Sequence, residues 1–316
     1  MGRTMARLRQ PDAKAQDQVG TGPRHRIASD RKMGGLAVLS KLPSALTRAA
    51  LVVVMIITPS AMLPNIGSDG AQMVTLIAIF AAIFTTVEYS ASSPSLVEFR
   101  NAPPYNRLRF GALFITIVTL SIVFRDPENA STITRFFQAV GGRIGASIDF
   151  PYSPVRLMLL AMPAEMSYPD LTRVRTAAGL SYLISLLSLA AFVTLLRWHG
   201  WPSKNGAFNV WVNLPTFDPT AGGDVVARLN RDSQINLILG FLLPFIVPAV
   251  LKLVSHYIMP FSLNDPQTLI WAVSAWAFLP ASLLMRGVAL SRVAQMIYVQ
   301  RKRAYAKAEE DGLLPV

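Results

Sequence analysis

Four ionisable side chains at the edges of long apolar stretches are the first candidates for chemistry: Glu88, Lys252, His256 and Arg286. A charged group at the centre of a bilayer costs about 2.5 to 3.5 kcal/mol, so an ionisable residue within a membrane span is by default a functional candidate. All four, however, are predicted near the ends of spans rather than at the midplane, which disfavours proton or sodium coupling. Arg286 falls where the last apolar stretch ends, a position typical of an anchor.

The other three residues have structural explanations as well. Glu88 lies about one helical turn from the end of its apolar stretch, where we expect it to be interfacial or to pair with Arg107 or Arg109. Lys252 and His256 are one turn apart on the same predicted helix face, and a lysine at such a depth extends toward the headgroups. A lipid-modifying enzyme built on Glu88, Lys252 or His256 stays open, although these groups are predicted toward opposite membrane faces.

Sequence motifs for catalysis or metal binding are missing. The chain has no cysteine, which excludes disulfides, thiolate metal sites and cysteine nucleophiles. Its three histidines, His25, His199 and His256, are far apart, and the HExxH, GxSxG, Walker A and GxGxxG patterns are absent. The sequence therefore identifies no catalytic residue and no metal site, leaves any cofactor unassigned, and favours a non-enzyme over an enzyme without deciding between them.

Small residues at helical spacing indicate close helix packing. Gly141 and Gly145 form a GxxxG pattern, and Ser181, Ser185 and Ser188 lie on one face of the fourth predicted span. Such residues let two helix backbones approach and supply weak hydrogen-bonding groups in a membrane. Packing within the chain is the favoured interpretation for both sets, and contact with a partner helix is the alternative.

Three prolines lie inside predicted spans: Pro244 and Pro248 in the fifth, and Pro280 in the sixth. Proline removes a backbone hydrogen bond and kinks a helix, so each is a candidate kink. A small-solute transporter or channel would use the Pro244 and Pro248 kink as its moving part and the serine face as its path.

The elements that position these residues are long apolar helices. Hydrophobic residues make up 52% of the 316 residues and charged residues only 15%, and the mean hydropathy is +0.39. The apolar residues are gathered into blocks of roughly 18 to 23 residues, the length that crosses about 30 Å of hydrocarbon. We therefore predict an all-α polytopic transmembrane bundle with about six spans, near 46–63, 72–89, 108–124, 177–196, 235–254 and 268–285.

The segments between and around these spans divide the chain further. A basic polar arm, 1–44, precedes a membrane domain, 45–290, and a basic tail, 291–316, follows it, with the last helix continuing past Gln300. Apolar residues spaced by three or four positions predict an amphipathic interfacial helix at 131–148. The shorter apolar piece at 154–162 is too short to span and is predicted to be interfacial or re-entrant.

Basic residues predict the orientation of these spans. The formal net charge is +12, and most lysines and arginines lie in the arm, the tail and the loops on the same side. By the positive-inside rule both termini are cytoplasmic, and we assign the chain to a bacterial inner membrane. The basic segments are expected to attract anionic lipids. Nucleic acid is not an expected partner, because aromatic residues do not alternate with the basic ones.

These features favour a non-catalytic subunit or assembly factor of a larger membrane complex, with other membrane proteins as partners. The support is the missing catalytic set, the missing midplane charges and the long terminal extensions. The transporter or channel is the alternative hypothesis, and the lipid-modifying enzyme is the third.

Overall fold

The computed structural model describes residues 23–63, 67–92, 94–100, 102–125, 130–202, 213–218, 220, 222–257 and 265–311. For 23–40, 103–104 and 255–257 this covers the backbone alone. Eight helices lie in these ranges: α1 Pro23–Met62, α2 Ser68–Ser90, α3 Pro103–Val123, α4 Thr132–Ile148, α5 Pro154–Leu160, α6 Tyr168–His199, α7 Val225–Tyr257 and α8 Pro266–Glu310.

Six of these helices are long and apolar enough to cross a membrane: α1 from Lys41 onward, α2, α3 from Tyr105 onward, α6, α7 as far as Val254, and α8. The predicted fold class, an all-α bundle with six spans, is therefore confirmed. The helices are longer than the predicted spans because hydrophobicity sets where a helix enters lipid, whereas hydrogen bonding along the backbone continues beyond that point. Thus α1 begins within the predicted polar arm, at Pro23, and α8 continues to Glu310.

The spans alternate in direction, so the bundle has two distinct ends. At one end, here called the basic face, α2 and α6 end, α3 and α7 begin, and α8 extends beyond its span. At the other end, the α4 face, the helices α4 and α5 lie between α3 and α6. Contacts across the chain agree with this arrangement, since Arg286 meets Glu98 at the basic face and Lys252 meets Leu160 at the α4 face.

Helices α3, α6 and α8 form the centre of the bundle and pack against one another, while α1 and α2 pack mainly on each other. One core cluster joins Ile117 of α3, Ala177 of α6 and Trp276 of α8. Only 17% of the most apolar 18-residue stretch of α2 is buried inside the protein, whereas 56% of the corresponding stretch of α8 is buried. The α1–α2 hairpin is therefore peripheral and leaves large apolar side chains for lipid.

Helix α7 passes through both of its prolines as one continuous helix and packs closely along α8. Pro248 has no N–H to donate to the carbonyl of Pro244, four residues earlier. The indole Nε1 of Trp276 donates to that carbonyl at 3.0 Å instead. A Cβ atom at Gly240 would lie 2.9 Å from the carbonyl oxygen of Pro280. The backbones of α7 and α8 are therefore in close contact at this level.

The two short helices at the α4 face, α4 and α5, correspond to the segments predicted to be interfacial. Thr134, Gly141 and Gly145 of α4 are buried, whereas Ile133 and Phe136 are exposed. The apolar stripe of α4 thus points away from the protein, as an amphipathic helix on a membrane surface requires. Its placement in the interface remains a prediction.

Candidate functional site

Glu88, near the end of α2, is buried and holds the loop that follows. Its carboxylate accepts hydrogen bonds from the backbone N–H groups of Ser95, Leu96 and Val97, at 3.0 to 3.2 Å, and from the Ser95 hydroxyl. Three consecutive amides form a concave donor set that matches a carboxylate. Glu88 therefore fixes the course of the loop at the basic face.

The arginine that bonds this segment is Arg100, while the expected ion pair of Glu88 with Arg107 or Arg109 does not form among the described residues. Arg100 Nη1 donates to the carbonyl oxygens of Glu88 and Ala91, at 3.0 and 2.7 Å. These carbonyls end α2 and have no partner within the helix. Burial lowers the pKa of the Arg100 guanidinium from its ordinary value. Arginine nevertheless stays charged at neutral pH, because its ordinary pKa is far above 7.

Arg286 of α8 forms a bidentate ion pair with Glu98 of the same loop. Arg286 Nε lies 2.6 Å from Glu98 Oε2, and Nη2 lies 2.8 Å from Oε1. The side chain of Glu98 is 12% exposed and that of Arg286 is 28% exposed. The hydroxyl of Thr216 also donates to Glu98, so this carboxylate joins three segments that are distant in the sequence.

Two further arginines, Arg48 of α1 and Arg109 of α3, each contact an aromatic ring near the basic face. The guanidinium carbon of Arg48 lies 4.6 Å from the centroid of the Tyr89 ring. Arg109 Nη2 donates to the Ser282 hydroxyl at 2.5 Å, and its guanidinium carbon lies 5.1 Å from the Tyr105 ring centroid. Neither arginine pairs with a carboxylate in the part of the chain that the structure describes.

A groove lies between the start of α7 and the extension of α8. Its volume is about 630 Å³, and its walls include Asp224, which directly precedes α7, and Val226 of α7, with Tyr298, Lys302 and Tyr305 of α8. This volume falls in the range of small-molecule pockets, about 300 to 1,000 Å³.

One ion pair ties the two sides of this groove. Arg301 Nη1 lies 2.5 Å from Asp224 Oδ1. The hydrogen bond from Arg301 lowers the pKa of Asp224 from its ordinary value, and the amide of Ala227 lowers it further.

At the α4 face, long polar side chains donate to carbonyls at helix ends. Lys252 Nζ lies 2.6 Å from the carbonyl oxygen of Leu160, the last residue of α5, and Arg125 Nε donates to Met62 at the end of α1. The side chain of His256 lies outside the described residues. Glu88 and Lys252 therefore sit at opposite ends of the bundle, and a single active site does not include both.

The GxxxG pattern of α4 packs against α6. A Cβ atom at Gly145 would lie 2.6 Å from the carbonyl oxygen of Arg175, and one at Gly179 would lie 2.5 Å from the Cα of Gly145. A Cβ atom at Gly141 would meet the side chain of Leu180. These glycines allow the backbones of α4 and α6 to touch, so this face of α4 is occupied from within the chain.

The three serines of α6 are buried on one face of the helix. Ser181 donates to the carbonyl of Ala178, and Ser188 donates to that of Ser185. On α8, the buried hydroxyl of Ser274 has no hydrogen-bond partner among the described residues. Hydroxyl groups thus line part of the α3–α6–α8 centre.

Sequence reasoning missed the ion pair of Glu98 with Arg286. Glu98 and Arg286 are 188 positions apart, and no local spacing relates them. A weak signal was present, because carboxylates are scarce beside the arginines of this face, so each is a strong candidate for an ion pair.

We compared the chain with protein-family models, with curated proteins and with solved structures, and none of them matches. The chain is therefore characterised by its own geometry: a six-span helical membrane protein with polar contacts between distant segments at both ends of the bundle.

Proposed function

We propose that this protein is a non-catalytic subunit or assembly factor of a larger membrane complex, and that a partner protein docks on the extension of α8. In this proposal the membrane is a bacterial inner membrane, and the basic face with both termini is cytoplasmic, as the positive-inside rule predicts. The observation that carries the proposal is the length and exposure of α8.

Helix α8 is 45 residues long, about 67 Å at 1.5 Å per residue, whereas the hydrocarbon layer is about 30 Å thick. From Tyr298 to Glu310, the surface of this helix is almost entirely exposed. A short helix in water gains little stability on its own, and most helices are stabilised by packing of one face. An exposed helix extension of this length is expected in a protein that binds a partner, because the partner would supply the missing packing.

The groove beside this extension indicates the chemistry of the partner. Tyr298, Lys302, Tyr305 and Glu309 recur at spacings of three or four and lie along one stripe of α8, facing the start of α7. Tyrosine supplies a large contact area with a polar tip, and lysine supplies a positive charge. A partner segment that presents carboxylates beside apolar side chains fits this stripe best.

The polar groups near the membrane support a structural role in place of a catalytic one. Glu88 holds a loop, Glu98 and Arg286 join two segments, and Lys252 caps α5. Each of these side chains is bonded to another group of the chain in the structure.

The test is the mass of the protein purified from its membrane in mild detergent. We expect a stoichiometric complex that exceeds the 34.5 kDa chain by the mass of a partner. The double variant Lys302→Glu with Tyr305→Ala is expected to run as the monomer, because it reverses the charge and removes the aromatic ring of the stripe. Arg143→Glu, an exposed residue of α4, is the control and should keep the complex. Monomer alone from the unaltered protein would contradict the proposal.

A small-solute transporter or channel is the second candidate, and the buried hydroxyls of the α3–α6–α8 centre favour it. Thr116, Ser181 and Ser274 bring hydroxyl groups from all three helices into that centre. Flux into vesicles that is lost in Ser181→Leu and kept in Thr194→Leu, an exposed position of the same helix, would support this function over the first.

A further inference from the structure

A second pocket lies on another side of the α8 extension, against the turn that follows α6. Its volume is about 330 Å³, at the lower end of the range of small-molecule pockets, about 300 to 1,000 Å³. Trp201 and Pro202 form one wall, and six residues of α8 form the other: Arg292, Gln295, Met296, Val299, Gln300 and Arg303. We call this cavity the arginine pocket.

The arginine pocket and the groove beside α7 use different stripes of α8. The six residues of α8 that line the pocket recur at spacings of three and four, which places them on one side of the helix. Tyr298, Lys302 and Tyr305 of the groove lie about a third of a turn away, because each residue of an α-helix advances the chain by about 100°. The arginine pocket is therefore separate from the stripe proposed for the partner protein.

The pocket has an apolar floor and a polar rim. Trp201, Pro202 and Met296 are buried and form the floor, whereas Gln295 and Gln300 at the rim are exposed. Each of these two amides offers both donors and acceptors of hydrogen bonds. Small-molecule sites combine an apolar lining with a few polar groups that orient the ligand. This lining fits a ligand in which an apolar group is joined to a polar one.

Among the described residues that line the pocket, only two are charged, and both are arginines. Arg292 is half-buried and Arg303 is exposed, and neither forms an ion pair within the described part of the chain. The neighbouring Arg301 differs, because it pairs with Asp224 across the groove. A charge that is partly removed from water needs a counterion to offset the lost hydration. The polar part of the ligand is therefore expected to be an anion.

The spacing and the depth of the two arginines restrict the ligand further. Arg303 follows Arg292 by eleven residues, about 16 Å along the helix axis, so the two side chains enter the pocket from opposite ends. A ligand with two neighbouring anionic groups fits this separation better than a single small ion. Arg292 follows Pro266, the first residue of α8, by 26 residues, which is about 39 Å in a bilayer of about 40 to 45 Å including its headgroups. The pocket thus extends from the headgroup layer into water.

We propose that the arginine pocket binds an organic diphosphate, with the two phosphate groups between Arg292 and Arg303 and the apolar part of the ligand against Trp201 and Met296. A guanidinium presents paired N–H donors that match two phosphate oxygens, so each arginine is suited to hold one phosphate. A soluble nucleoside diphosphate and a lipid diphosphate of the membrane share this chemistry. The site is independent of the proposed partner protein, because it uses the other stripe of α8.

The experiment is a calorimetric titration of the full chain in mild detergent with adenosine diphosphate, with farnesyl diphosphate and with inorganic phosphate. We expect at least one of the two organic diphosphates to bind, and inorganic phosphate to bind more weakly because it lacks the second phosphate and the apolar group. Arg292→Gln and Arg303→Gln should each weaken binding about tenfold, the effect of one lost charge-assisted hydrogen bond. Arg197→Gln removes the same charge from an exposed residue near the end of α6, outside the pocket, and should bind as the unaltered protein does.

The two organic probes separate the sources of the ligand. Binding of adenosine diphosphate alone would assign the pocket to a soluble ligand, binding of farnesyl diphosphate alone would assign it to a lipid, and binding of both would show that the diphosphate itself is recognised. Arg303→Gln alone decides the matter if Arg292→Gln fails to fold, because Arg303 is exposed. Unchanged affinity in Arg303→Gln would overturn the proposal, as would no binding of either diphosphate or equally tight binding of inorganic phosphate. An equal loss in Arg197→Gln would also overturn it, since the charge of the whole surface would then explain the binding.

Discussion

The two ends of the bundle are held together by different physical means. At the α4 face, α4 and α6 meet backbone to backbone at Gly145 and Gly179, and donors such as Lys252 cap helix-end carbonyls. At the basic face, carboxylates join segments that are far apart in the sequence, as Glu98 does with Arg286. The contact between α4 and α6 at the first end leaves no space for a side chain, whereas the second end has a groove beside the α8 extension.

This difference indicates where a ligand or partner binds. Close glycine contact excludes side chains and depends on shape alone, so it stabilises the fold without presenting groups. Polar networks tolerate new partners, because each arginine offers more donors than one carboxylate accepts. The predictions that follow test this contrast.

The largest effect is expected for Glu88→Ala at the basic face. Three backbone N–H groups would lose their acceptor, and each such loss costs about 1 to 3 kcal/mol, so we expect a decrease of about 4 kcal/mol in the free energy of unfolding in micelles. Ser95→Ala removes one of the donors to this carboxylate and should cost about 1 kcal/mol. Faster amide hydrogen exchange at 95–97 in Glu88→Ala is part of the same expectation. Equal effects of the two substitutions would show that the amides do not depend on the carboxylate.

Gly145→Ala should have the next largest effect, at the α4 face. The new methyl group would lie 2.6 Å from the Arg175 carbonyl oxygen, and because backbone atoms move less readily than side chains we expect a loss of about 3 kcal/mol. Gly142→Ala is the matched control, since its methyl group would lie 3.8 Å from Thr176 Oγ1. Thermal unfolding of both variants in the same detergent measures the difference, and a Gly145→Ala protein as stable as Gly142→Ala would refute the close contact.

The ion pair between Glu98 and Arg286 should contribute less, because both side chains are partly exposed to solvent. Arg286→Met is expected to lower the free energy of unfolding by about 2 kcal/mol, below the roughly 3 to 5 kcal/mol of a fully buried pair. A double-mutant cycle with Glu98→Gln measures the coupling between the two residues. Strictly additive effects would mean that the two side chains act separately.

The smallest effect is expected from pH, through Asp224. Its pKa is lowered in the folded protein, so its contribution is fully present above the unfolded pKa, about 3.9, and is lost as the pH falls through the folded value. We expect the α8 extension to separate from α7 only at pH values below about 4. Spin labels at Val226 and Ala306, two residues of the groove, would report the separation as a longer distance. Asp224→Asn should show the longer distance at neutral pH, and a pH-independent distance in both proteins would contradict this role.

Much of the membrane fold could be predicted from the sequence, because lipid imposes a length and a hydrophobicity on every span. The stretch around Ile235 to Val254 shows this, since its apolar run lies within α7. The start of α1 could not be placed in this way, because Pro23 to Ser40 is helical without being apolar.

The candidate sites were less accessible to sequence reasoning. The interpretation of Arg286 as an anchor did not foresee its pairing with Glu98, because this contact depends on how a loop folds back against α8. In the same way, the proline pattern of α7 predicts a free carbonyl at Pro244 but does not show that Trp276 binds it. Contacts between distant segments require the three-dimensional arrangement.

The measurement that most directly tests the account is the accessibility of single cysteines, since the natural chain has none. Tyr305→Cys places a thiol on the α8 extension, and Ser147→Cys places one on an exposed position of α4. In intact spheroplasts treated with a membrane-impermeant maleimide, we predict labelling of Ser147→Cys alone, with Tyr305→Cys labelled only after permeabilisation. Labelling of Tyr305→Cys from outside would contradict a cytoplasmic basic face and the partner site proposed on it.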